Sequence, residues 1–163
     1  MSAKPPSSAV TPGRGHAALR RGRVSVPGQI YNITVATLGR APFFSTFPVA
    51  AAAARCFADR AVLQDADMLA WVLMPDHAHW LVQLGETADL PALVSRLKSA
   101  SARHANRRLG RVGTLWAPAY HDRALRREED VVAVARYIVA NPVRAGLVRS
   151  VREYSFWDAK WLL

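Results

Sequence analysis

Cysteine is almost missing from this 163-residue chain, where Cys56 stands alone. A single thiol excludes a disulfide framework and a cysteine-based zinc site. Acidic residues are scarce as well. Twelve Asp and Glu face 22 Lys and Arg, for a formal charge of +10 and a pI near 11.0. A balance so basic points to a polyanionic partner, most often nucleic acid. The excess is nearly all arginine, whose planar fork grips phosphate with two donors at once. No apolar run approaches the roughly 20 residues of a membrane span. The opening stretch MSAKPPSSAVTPGRGH also lacks the apolar segment of a signal peptide. A cytoplasmic, nucleoid-associated protein with no membrane partner is therefore expected.

What is present reads as a basic tail followed by one domain. Residues 1–22, rich in Pro, Ser, Gly and Arg without apolar periodicity, are expected to be disordered. Residues 23–163 are long enough for one core. Gln29–Leu38 alternates in β-branched residues and predicts a first strand, and Phe43 and Phe44 should close over the core behind it. Phe47–Arg60, with Pro48 early and a run of alanines, predicts a helix. Val62–Leu73 and His77–Leu84 predict two strands that pair across a corner at Pro75.

Asp89 should cap a helix that runs to Leu109 and ends at Gly110. Its inward stripe is expected to hold Leu90, Leu93, Val94, Leu97, Ser101 and His104, with Arg96, Arg103 and Arg107 along one flank. A fourth strand is strongest over Tyr120–Leu125. A helix over Val131–Ala140 follows, ended by Pro142. The remaining apolar tail, 143–148 and 154–161, should pack back on the domain. The order β-α-β-β-α-β-α predicts an α+β fold: a ferredoxin-like antiparallel sheet with helices packed on one face.

The most unusual stretch is Trp71–Leu84, WVLMPDHAHWLVQL. Side chains alternate along a strand, so His77 and His79 share one face while Ala78 and Trp80 share the other. Two imidazoles spent on an otherwise apolar strand need partners, and neutral imidazole is a common metal ligand. Two histidines are too few for a closed structural zinc site. They leave room for an amide oxygen, water and a phosphate. Asn141 could supply the amide oxygen, and Tyr137 lies one helical turn before it. A positioned tyrosine can attack a phosphodiester, leaving a 5′-phosphotyrosine and a free 3′-hydroxyl. Asp76 and Asp130 read either as outer partners of such a site or as a turn residue and a helix N-terminus. His16 and His104 read as tail and core residues, and His121 reads either as structural or, beside the basic run Arg123–Arg127, as a nucleic-acid contact. Trp116 and Tyr120 read equally as base-stacking platforms or as core.

In combination these motifs are familiar. MPDHAHWLV resembles the His–hydrophobic–His (HUH) motif of the single-tyrosine, IS200-like transposases, and RYIVANPVRAGLV resembles their tyrosine helix. With PGQIYNIT and LWAPAYHDRAL, the pattern is most similar to the REP-associated tyrosine transposases, from about Arg23 to Trp157. The resemblance implies a metal-dependent transposase, an endonuclease and strand transferase acting on single-stranded DNA that forms repeat hairpins. His77, His79 and Asn141 would hold Mg2+ or Mn2+, and Tyr137 would be the nucleophile. Asn141 stands where the related insertion-sequence enzymes carry glutamine. Arg96, Arg103, Arg107, Arg123 and Arg126 are the expected nucleic-acid contacts. Either a monomer or a homodimer fits. Two other classes remain open on sequence: a binding protein for structured DNA or RNA that has lost cleavage, and a zinc hydrolase built on the two histidines.

Overall fold

In Ile30–Ala36, β1, every second side chain is buried, as the alternating sequence requires. The computed structural model describes residues 25–127 and 129–161, so the basic tail expected over 1–22 lies outside the described residues. After β1 the chain turns, buries Phe44 against Trp116, and enters α1, Phe47–Ala54. The helix expected to continue to Arg60 stops sooner. A 3-10 turn takes over at Arg55–Ala58, and a separate short turn, α2, covers Arg60–Leu63. Asp59 causes the restart: its backbone is extended and its carboxylate accepts from the Ala61 amide. The following strand, β2, therefore starts at Asp67 rather than Val62 and runs to Met74.

Pro75 and Asp76 turn β2 into β3, His77–Gln83, as an antiparallel hairpin with Met74 opposite His77. Helix α3, Leu90–Leu109, begins on the Asp89 side-chain cap and ends on left-handed Gly110. Strand β4 is only His121–Ala124. Asp130 caps α4, Val131–Val139, and a further turn, α5, spans Asn141–Arg144 with Pro142 in its first turn. The apolar tail does pack back, ending in β5, Trp157–Ala159.

The sheet order is β4-β1-β3-β2-β5, and all its pairings are antiparallel. The α+β antiparallel class stands, with one difference in how the helices are distributed. Helices α1 and α3 cover one face through Ile33, Val35, Ala78, Trp80, Leu93 and Leu97. Helix α4 lies on the other, where Ala135, Ile138 and Val139 meet Val72, Met74 and Leu81. His104 does not join the α3 stripe; it is exposed beside Arg55, Arg107 and Arg108. Trp116 is core, its Nε1 donating to Ser101 Oγ at 3.0 Å inside the α3 face.

Candidate active site

Because β3 alternates, His77 and His79 emerge together on the α4 side, with ring centroids 5.0 Å apart. Neighbouring elements hold each ring by its Nδ1. His77 Nδ1 donates to Asp76 Oδ1 at 2.6 Å, and Asp76 Oδ2 is paired in turn with Arg40 Nε at 3.3 Å. A carboxylate can only accept, so this bond puts a proton on Nδ1 and turns the Nε2 edge of the ring away from Asp76. His79 Nδ1 shares a 3.0 Å hydrogen bond with Thr34 Oγ1 on β1, its direct cross-strand partner. Burial first, then the positive charges of His77, Arg144 and Arg40, pushes the His79 imidazole down to about 4. His79 is thus neutral near pH 7.

Tyr137 and Asn141 stand at the α4–α5 corner, which packs on β2. Helix α4 is placed by its buried stripe. Tyr137, one position off that stripe, is 65% exposed. Asn141 is half-buried, and its Nδ2 donates to the Ile138 carbonyl at 3.0 Å. That bond fixes the amide and leaves Oδ1 without a hydrogen bond among the described residues. Arg144, which the sequence reading did not single out, lies over the Tyr137 ring, its guanidinium carbon 3.7 Å from the centroid.

These donors fit a divalent cation. Both Nε2 atoms are available, both rings are oriented by a second hydrogen bond, and an amide oxygen stands on the adjacent corner. No group of three or more His, Cys, Asp or Glu that could hold a metal occurs among the described residues. The remaining coordination positions would therefore fall to the amide, water and a ligand oxygen.

The expected arginines do not gather here. Arg96, Arg103 and Arg107 lie on α3, across the sheet from the histidines. Arg96 Nε donates to the Val62 carbonyl at 2.8 Å and so ties α3 to α2. Arg103 and Arg107 are exposed around shallow clefts near the end of α3. Arg123 does stand on the histidine face by register, opposite Asn32, but Glu129 engages it at 2.6 Å. The same carboxylate accepts from the Arg126 amide, and Arg126 itself is exposed. Asp130 serves as the α4 cap, accepting from Val132 and Ala133. Tyr120 lines a cleft of about 460 Å³ at the β4 edge with Tyr31, Pro91 and Asp122. His121 stands opposite Thr34, in the same cross-strand row as His79. Its place became visible only with the register. Thr34 carried no sequence signal, whereas Arg144 could have been found from its seven-residue spacing after Tyr137.

Comparison with known proteins falls on the same residues. Positions 25–141 match a family described as Transposase IS200 like, a stretch that contains His77, His79 and Tyr137 and ends on Asn141. A protein of Haemophilus influenzae named as a REP-associated tyrosine transposase is 28% identical over 100 residues, 55% of this chain. The chain spans 57% of that relative's length. A solved structure described as a REP-associated tyrosine transposase bound to a REP hairpin superposes with a TM-score of 0.64 at 24% identity, covering 83% of this chain and 79% of that one. That likeness concerns the fold. A crystal structure of a Deinococcus radiodurans protein named as a transposase gives a TM-score of 0.53 at 27% identity, covering 72% of this chain and 93% of that one.

Proposed function

Since this chain belongs to the IS200-like transposase family, we propose that it cleaves and rejoins single-stranded DNA at hairpin-forming repeats, with Tyr137 as nucleophile and a divalent metal. The observation that carries this reading is the pair of oriented imidazoles, His77 and His79, on the sheet face covered by α4, the helix that bears Tyr137. His77, His79 and the Asn141 amide oxygen would hold the cation, Mg2+ or Mn2+. Bound there, it would polarise a phosphoryl oxygen as a Lewis acid.

The chain's own residues supply the rest. Asp76 and Thr34 fix the two rings, so no reorganisation is needed when a ligand oxygen arrives. Tyr137 is exposed and so open to a DNA phosphate. Attack joins the phenol oxygen to phosphorus and releases the 3′-oxygen, so the 5′-phosphate remains on the protein. Rejoining is the reverse step with another 3′-hydroxyl. The hairpin substrate follows from the family, and the solved relative described with a REP hairpin supports it. The positive charge of the chain suits such a partner, and binding should weaken steeply with salt.

The test uses synthetic single-stranded oligonucleotides that carry imperfect palindromes and fold into hairpins, with Mg2+ or Mn2+. A protein–DNA adduct that survives denaturing gels, needs the cation and disappears in Tyr137→Phe is expected. Tight hairpin binding without any adduct would instead mark a protein that binds and does not cut.

A further inference from the structure

We propose that Arg144 is a catalytic residue of this site: its guanidinium, stacked on Tyr137, binds the phosphate that the tyrosine attacks. The inference rests on Tyr137 being the nucleophile.

Arg144 makes two contacts, both to Tyr137. Its guanidinium carbon stands 3.7 Å from the ring centroid, and Nη1 donates to the Tyr137 carbonyl at 2.7 Å. The two residues stand on either side of the α4–α5 corner, Tyr137 near the end of α4 and Arg144 at the end of α5.

Its charge balance differs from that of three other arginines of the fold. Arg40, Arg60 and Arg123 each face a carboxylate, from Asp76, Asp67 and Glu129. Among the described residues no carboxylate pairs with Arg144. A guanidinium has five N–H donors, and one of them is used on the Tyr137 carbonyl. The others form a fork of the shape that grips a phosphate.

In the reaction the phenol oxygen of Tyr137 forms a bond to phosphorus as the P–O3′ bond breaks. The 3′-oxygen leaves with the electron pair and takes up a proton, while the phenolic proton passes to solvent. Negative charge builds on the non-bridging oxygens at midpoint, which is where the fork of Arg144 would act. Its stacking also keeps the ring and the phosphate in one register.

The experiment follows single-turnover adduct formation by the full chain on the same synthetic hairpin oligonucleotides with Mn2+, at saturating DNA. Arg144→Ala should lower the rate about 10²–10³-fold, the loss typical of one removed oxyanion donor. Its oligonucleotide affinity should weaken no more than about tenfold, since a single phosphate contact is lost. Arg144→Lys should recover part of the rate, keeping the charge but not the fork. Millimolar guanidinium chloride should rescue Arg144→Ala but not Tyr137→Phe, and a purely structural role would show no such rescue. An Arg144→Ala rate within about threefold of the unmodified protein overturns the proposal. So does a loss that neither Arg144→Lys nor guanidinium relieves. If the unmodified protein forms no adduct that Tyr137→Phe abolishes, the nucleophile assignment itself fails and Arg144 falls with it.

Discussion

Strand β3 delivers Ala78, Trp80 and Val82 to the face covered by α1 and α3, and His77, His79 and Leu81 to the face shared with α4. On the first face every position is filled. Trp80 meets Phe57 edge to face at 5.3 Å, and it is so enclosed that its Nε1 is left without a hydrogen bond. On the second face the imidazoles stand opposite Met74 and Val72 of the smaller core, and hydrogen bonds with Asp76 and Thr34 fix them. Neighbours in sequence thus answer to different demands. Trp80 is placed by packing and gives up a polar contact for it. His79 is placed by polar contacts at the edge of a smaller core. The α3 side can therefore carry stability while the α4 side stays open for chemistry.

Exchanging adjacent residues is the hardest strain on that division. His79→Ala should reduce adduct formation at least about 10³-fold yet shift the melting midpoint by only a few degrees. Trp80→Ala should cost about 3–5 kcal/mol. For a chain of this size that lowers the midpoint by about 6–20 °C. Calorimetry beside the adduct assay reads both, and a His79→Ala variant that melts like Trp80→Ala would collapse the distinction.

A middle-sized effect is expected from Asp76→Ala, which removes the acceptor for His77 Nδ1 but keeps the backbone carbonyl that holds Thr37. The Mn2+ concentration for half-maximal adduct formation should rise about 10–100-fold, at nearly unchanged stability.

The smallest effect belongs to Tyr154, whose hydroxyl donates to the Leu73 carbonyl at 2.6 Å behind the α4 core. Tyr154→Phe should cost about 1 kcal/mol near neutrality. Burial pushes this phenol up to about 12, against about 10 in an unfolded chain. A raised value favours the fold below pH about 10, and the advantage drains away as pH climbs towards 12. Denaturant titrations across that window should show a steeper alkaline loss in the native sequence than in Tyr154→Phe.

The sequence made some of this legible for physical reasons. A period of two forces His77 and His79 onto one face whatever surrounds them, and the Asp89 and Asp130 caps announce their helices locally. Sidedness was another matter. The apolar stripe of α4 says which side of the helix is buried but not which side of the sheet buries it. For the same reason Arg96, Arg103 and Arg107 could be lined up on α3 and yet end across the sheet from the histidines. The alanines of α1 favour helix at every position, so they gave no warning that Asp59 would restart the chain. Thr34 and His121 flank the site through strand register, a relation between residues far apart in the chain.

Strand β5 bears on assembly as well as on the core. By pairing with β2 it occupies the hydrogen-bonding edge that the β2–β3 hairpin would otherwise expose. A continuous sheet across two copies would then have to grow from β4 or from β5 itself, which is three residues long. Strand β4 is four residues long and carries His121, Asp122 and Arg123 in succession. Short, charged edges resist such pairing. Two copies of this chain would accordingly meet through helices or loops, or through a shared piece of DNA.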